Sequence, residues 1–155
     1  MKKEIVKRIF NFLEEKGEHN APLLWKLEND IPITEKDLDF EGDLILTYSD
    51  IELLPEGLNV RGDLYLSHTN ITSLPKGLEV GGGLYLRDTK ITSLPKGLKV
   101  GGYLDIRYTK ITSLPKGLEV GDFFMIGFTP IAKYSDEELR EMIKPGFIKG
   151  QIERD

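Results

Sequence analysis

Asp43, Asp63 and His68 are the residues of this chain whose types could do acid–base chemistry. If the two aspartates lie one coil apart on a repeating fold, two carboxylates approach one imidazole. That is the raw material of a general acid–base pair or a weak metal site. Nothing in the sequence shields such a site from water, and aspartate is common on exposed faces. The second histidine, His19, shares no site with them. The glycines of EVGGGLYL (79–86) suggest a phosphate loop, but no helix follows to offer its N-terminus. The serines of ITSLP have no base in register. The chain has no cysteine, so disulfides, thiolate nucleophiles and cysteine-ligated zinc are excluded. We therefore expect a protein that is not an enzyme, with no cofactor and no metal.

Binding chemistry is better represented. Tyr65, Tyr85, Arg87, Tyr103, Asp105, Arg107, Phe123 and Met125 occupy positions that flank regularly spaced leucines. Aromatic residues and arginine supply most hot spots of protein interfaces. A second variable column, Tyr48, His68, Asp88, Tyr108 and Phe128, follows just beyond. The plainer reading is that tyrosine and threonine simply suit exposed strands. We read the first group as the partner-binding set and the second as its rim.

The elements that position these residues follow from an internal repeat. ITSLPKGL occurs at 71–78, 91–98 and 111–118, and a looser copy, IELLPEGL, at 51–58. Five units of twenty residues start at Gly42, Gly62, Gly82, Gly102 and Asp122. Leu44, Leu64, Leu84, Leu104 and Phe124 form one column; Leu46, Leu66, Leu86, Ile106 and Ile126 form the next. Ser49, Thr69, Thr89, Thr109 and Thr129 precede Ile51, Ile71, Ile91, Ile111 and Ile131 by two residues. L-x-L reads as a short strand with both leucines on one face. Pro55, Pro75, Pro95 and Pro115 keep the return path extended rather than helical. Leu-Pro-Lys-Gly fits a turn with proline second and glycine fourth. Stacked coils bury leucine on leucine and pair their strands in a parallel sheet about 4.8 Å apart. The hydroxyl column should bond to the backbone of the adjacent coil, satisfying buried groups.

The run from Leu58 and Val60 through Leu64, Leu66, Thr69, Ile71, Leu74 and Pro75 resembles a leucine-rich repeat of the short bacterial kind. Similar LPX-type repeats occur in secreted bacterial effectors and in bacteriophage or prophage proteins. The resemblance covers roughly residues 38–134. It implies an α/β-type repeat solenoid with a concave parallel sheet, an extended convex side and helical N- and C-terminal caps. It also implies a protein-binding role, narrowed by the phage relatives to an inhibitor of a host or bacterial defence protein. Threonine or serine stands where the family usually has asparagine. The ligase domain of some effector relatives, with its cysteine, has no counterpart here.

The ends read as caps on one domain of 155 residues. Residues 1–37 form the first: Ile5, Val6, Ile9, Phe10, Phe12 and Leu13 share a helical face, and Leu23, Leu24, Trp25 and Leu27 suggest a second short helix. Leu38 and Phe40 anticipate Leu58 and Val60. At 135–155, Ser135-Asp-Glu-Glu138 is a capping box leading into Leu139, Met142 and Ile143, and GFIKGQI (146–152) reads as a closing strand. The opening MKKEIVKRIFNFLEEKG does not read as a signal peptide, and no stretch reads as a membrane span, so we expect a cytoplasmic protein, monomeric or weakly self-associating. Net charge is −5 for the whole chain, while residues 42–134 hold ten acids and ten bases. Acids come early in the stack, and Lys76, Lys96 and Lys116 form a late basic column. The alternative function is therefore nucleic-acid or nucleoprotein binding through Arg87, Arg107 and this lysine stripe.

Overall fold

The computed structural model describes residues 23–155. The chain divides into two compact units, 1–37 and 38–155. The expected helical face from Ile5 to Leu13 lies outside the described residues. In the first unit, α1 (Leu23–Glu28) occupies the predicted second apolar cluster, with Leu23 buried. The Lys26 ammonium is buried beside Asp37, 2.9 Å away. Burial works against ionisation of Asp37. The Thr34 backbone N–H, Lys26 and the Thr34 hydroxyl outweigh it and hold the carboxyl below its ordinary pKa. A one-turn helix, α2 (Glu35–Leu38), leads into the repeats.

The second unit is a repeat solenoid with two parallel sheets rather than the single sheet expected. Each coil carries two dipeptide strands. The first sheet stacks β1 (Asp39–Phe40), β3 (Asn59–Val60), β5 (Glu79–Val80), β7 (Lys99–Val100), β9 (Glu119–Val120) and β11 (Phe147–Ile148). The second stacks β2 (Leu44–Ile45), β4 (Leu64–Tyr65), β6 (Leu84–Tyr85), β8 (Leu104–Asp105), β10 (Phe124–Met125) and β12 (Ile152–Glu153). The register is twenty residues throughout the repeats, as in Leu64↔Leu84 and Val80↔Val100.

The second sheet arises because both sides of the Gly-Gly bend are extended. A Cβ at Gly81 would lie 2.2 Å from the Arg61 carbonyl oxygen, and one at Gly121 only 1.9 Å from that of Gly101. At Gly81, Gly101 and Gly121 glycine therefore lets the bend of one coil rest directly on the bend below it. Bonds at the strand ends extend both ladders: Gly81 N–H donates to Val60 in the coil before it, and Leu64 N–H to Gly83 in the coil after it.

The leucine and isoleucine columns are the core. Leu64, Leu66, Ile71, Leu84, Leu86, Ile91, Leu104, Ile106 and Ile111 are fully buried. Each such side chain contributes about 1.5–3 kcal/mol of transfer free energy, obtained only when coils stack.

Two local expectations are corrected. The turn after the return is Pro-Lys-Gly-Leu, closed by Leu78 N–H to Pro75 and Leu98 N–H to Pro95, with Gly77 and Gly97 at φ +74° and +72°. Proline is thus first and glycine third, because the third position is the one that needs positive φ. The threonine hydroxyls do not reach the adjacent coil. Thr69, Thr89, Thr109 and Thr129 donate to the carbonyls of Leu66, Leu86, Ile106 and Ile126 in their own coil, at 2.5–2.8 Å. A residue three positions back in a tight turn is simply nearer. Ser49, the serine of the column, leaves its buried hydroxyl without a partner.

At the C-terminal end a 3₁₀ turn (Pro130–Lys133) precedes α3 (Asp136–Met142). The capping box forms as predicted: Ser135 Oγ accepts from Glu138 N–H, and Glu138 accepts from Ser135 N–H. Residues 146–153 give two strands, not one, and so complete a sixth rung in each sheet. Arg140 of α3 donates to the carbonyls of Ile148 and Gly150, and Arg154 to those of Ala132 and Tyr134. These guanidinium groups satisfy carbonyls of the sixth rung and of the 3₁₀ turn before it.

Candidate functional site

The outward face of the β2–β12 sheet and the turn that follows each of its strands collect every residue of the two predicted sets. Alternation along a strand explains why. Leu64 and Leu66 point into the core, so Tyr65 must point out, and the same holds for Tyr85. Strict twenty-residue register then sets like upon like. The Tyr65 and Tyr85 rings stack at 4.7 Å and 2°. Tyr103 and Phe123, one column over, stack at 5.7 Å and 16°. Gly83 belongs to that column, and a Cβ there would lie 2.8 Å from the Tyr85 ring. Its missing side chain is the space the Tyr85 ring occupies.

The charged groups sort themselves differently from the sequence expectation. Asp105 is buried, and Arg107 grips it in two parallel bonds, Nε to Oδ1 at 2.9 Å and Nη2 to Oδ2 at 2.7 Å. This bidentate geometry is the strong form of an ion pair. The hydrogen bond to Asp105 and its charge raise the pKa of Arg107 further. Arg87 is treated otherwise. Its guanidinium lies over the Tyr108 ring, 4.9 Å from the centroid. Met125 is half-buried beside these groups.

The rim column has a feature that residue types did not signal. Tyr48, His68, Asp88, Tyr108 and Phe128 all have left-handed backbone, with φ between 56° and 62°. That region disfavours any residue with a Cβ by about 1 kcal/mol or more, and glycine or asparagine would relieve it. The column instead carries rings. Tyr48 stacks on His68 at 4.8 Å and 1°, and Tyr108 on Phe128 at 4.5 Å and 10°. His68 Nδ1 meets the Asp88 carboxylate at 3.1 Å. Stacked rings return about 0.5–1.5 kcal/mol per pair, which offsets part of the backbone cost. Tyr48 and Phe128 nevertheless remain 77% and 68% exposed, so these rings fill no core.

The carboxylates of the acid–base candidate are occupied. Asp43 Oδ1 accepts from the Asp63 N–H, and Asp63 Oδ1 from the Gly83 N–H. Asp63 Oδ2 accepts from the Tyr65 hydroxyl at 2.9 Å. That hydrogen bond, with burial and the Asp63 charge, pushes the Tyr65 pKa up to about 12. Burial foremost, then the Asp63 charge, raises Tyr85 as well. Among the described residues no group of three or more His, Cys, Asp or Glu is placed to hold a metal ion. Among them, too, no helix is long and apolar enough to cross a membrane. Lys76 and Lys96, two of the three lysines of the expected column, line one groove with Ser73, Ser93 and Leu94 on the return side of the coils.

Compared with protein-family models, with curated proteins and with solved structures, the chain finds no match.

Proposed function

We propose that this protein is a non-catalytic binding module of the leucine-rich-repeat type that engages another protein through the outward face of the β2–β12 sheet. The observation that carries the reading is the rim column. Five consecutive coils hold a left-handed backbone, and four of them place an exposed ring there. The coil imposes that backbone, but filling it with exposed rings instead of glycine or asparagine points to use rather than to packing. Beside it, Tyr65, Tyr85, Tyr103 and Phe123 offer ring edges on a rigid scaffold, the kind of low-entropy surface on which interfaces are anchored. In its narrower form, the proposal makes the protein a phage- or prophage-encoded inhibitor of a bacterial defence protein, acting in the cytoplasm as a monomer or weak oligomer. The resemblance of its repeats to LPX-type repeats supports that form.

The Asp105–Arg107 pair counts against a nucleic-acid surface, since one of its two arginines is already neutralised. The test is affinity capture from bacterial lysate with wild type and with Tyr85→Ala, with and without nuclease. A protein retained by wild type, lost with Tyr85→Ala and indifferent to nuclease is the expected result. A catch that disappears with nuclease would overturn the reading.

A further inference from the structure

Five arginines fall among the described residues, and four are committed. Arg61 pairs with Asp39, Arg107 with Asp105, and Arg140 and Arg154 bind backbone carbonyls. Arg87 is the exception: it has no carboxylate or carbonyl partner among the described residues, and its one specific contact is the Tyr108 ring. That contact is itself informative. Tyr108 is stacked on Phe128 through one face and meets Arg87 on the other. At this rung the ladder has Asp88 where the neighbouring rungs have rings, and the planar guanidinium takes up the place over Tyr108. A guanidinium held over a ring face by a cation–π contact keeps N–H donors that the ring does not use and a ligand can take.

The surrounding charge limits what that ligand is. The strands and turns of the first five coils on this face carry Asp43, Asp63, Asp88 and Asp105 against Arg87 and Arg107, and Lys90 and Lys110 lie beside Asp88 and Tyr108 at the rim, four acids to four bases. A phosphate backbone, whose binding depends on many cations in a row, finds no unopposed row here, since Arg107 is tied to Asp105 and acids match bases in number. A single carboxylate needs one oriented fork only.

We propose that Arg87 is the anion-reading residue of this face and takes the carboxylate of a glutamate or aspartate side chain presented by an extended segment of the partner protein. The inference rests on the protein-binding reading and adds the chemistry of one contact to it. Arg107, which residue type alone would rank equally, is a structural arginine that holds Asp105.

The test uses the whole chain and defined probes. Arginine Nε–Hε resonances are followed by NMR, that of Arg87 being assigned by its absence in Arg87→Lys. The probes are acetyl-Gly-Glu-Gly-amide, its glutamine counterpart, and single-stranded oligo-dT, at constant ionic strength. The glutamate peptide should shift the Arg87 resonance saturably, at roughly a tenth of the concentration that moves Arg107, while the glutamine peptide leaves it in place. Equal responses of the two arginines, or of the two peptides, would overturn the inference. So would oligo-dT binding more tightly than the glutamate peptide with steep salt dependence. Protein capture lost in Tyr85→Ala while Arg87 ignores the glutamate peptide would overturn this inference alone and leave the protein-binding reading standing. A glutamate-specific shift without any Tyr85-dependent capture would separate them the other way.

Discussion

Ser49→Thr should stabilise the solenoid, and its size can be worked from the four coils that already carry threonine. In each, the hydroxyl donates to the carbonyl three residues back at 2.5–2.8 Å. The turn at Ser49 has the same closure, with Ser49 N–H donating to the Leu46 carbonyl at 3.0 Å, as Thr109 N–H does to Ile106 at 3.2 Å. Yet the Ser49 hydroxyl is buried and unpaired. Serine leaves the side chain free to turn away. Threonine's second heavy atom on Cβ restricts that rotation and favours the bonded rotamer. The gained hydrogen bond is worth about 0.5–1.5 kcal/mol net. The added methyl contributes up to about 0.8 kcal/mol if it is buried like its neighbours. Together they predict a gain of about 1–2 kcal/mol, or a rise in melting temperature of roughly 3–6 °C for a chain of this size. Differential scanning calorimetry and urea denaturation of Ser49→Thr and of the reverse change, Thr89→Ser, supply the test. Unchanged melting in both variants would refute the account of the hydroxyl column.

Other perturbations follow from the same geometry. Arg140→Ala should cost about 1–3 kcal/mol by leaving the Ile148 and Gly150 carbonyls without their donor, with faster amide exchange over 147–153 than elsewhere. Gly101→Ala places a Cβ 2.1 Å from the Gly81 carbonyl oxygen, so it should cost about 3 kcal/mol or more by urea denaturation, well above Gly97→Ala, which meets nothing and carries only the strain of φ +72°. Tyr65 gains a hydrogen bond to Asp63 that only its protonated form can donate. Its contribution is therefore complete below the ordinary phenol pKa of 10.0 and is lost as pH rises through about 12. Tyr65→Phe should remove that part of the alkaline loss of stability, read from denaturation midpoints across this range. Asp88→Gly relieves a left-handed backbone and should be neutral or stabilising by about 1 kcal/mol, measured by thermal unfolding.

The parts of this fold that were legible in the sequence are those fixed by periodicity. Leu64 and Leu84, or Ile71 and Ile91, are the same residue in the same local sentence, so a stack that buries one buries all. The sixth rung was half-legible: GFIKGQI read as one strand because its repeat skeleton is gone, and only Ile148 and Ile152 remain as buried markers. The second sheet was hidden by the glycines of the bend, whose demand is a backbone approach in space rather than a local propensity. The left-handed rim was invisible for a different reason. No glycine or asparagine announces it, and the turn is imposed by the coil on whatever residue falls there. On the candidate face the columns were legible, since alternation places Tyr65 and Tyr85 outside. The fates of Arg87 and Arg107 were not. Both stand at the same repeat position, and what separates them is the residue two places before: tyrosine in one coil and Asp105 in the next.

The central claim, that the partner sits on the outward β2–β12 face, is tested most directly by hydroxyl-radical footprinting of the complex with whatever protein the wild type captures. The account predicts protection of Tyr65, Tyr85, Tyr103, Tyr108 and Phe128, with Tyr134 and Phe147 unchanged as internal controls. Protection of Phe147 or of the Lys76–Lys96 groove, with those five rings as reactive as in the free protein, would contradict it.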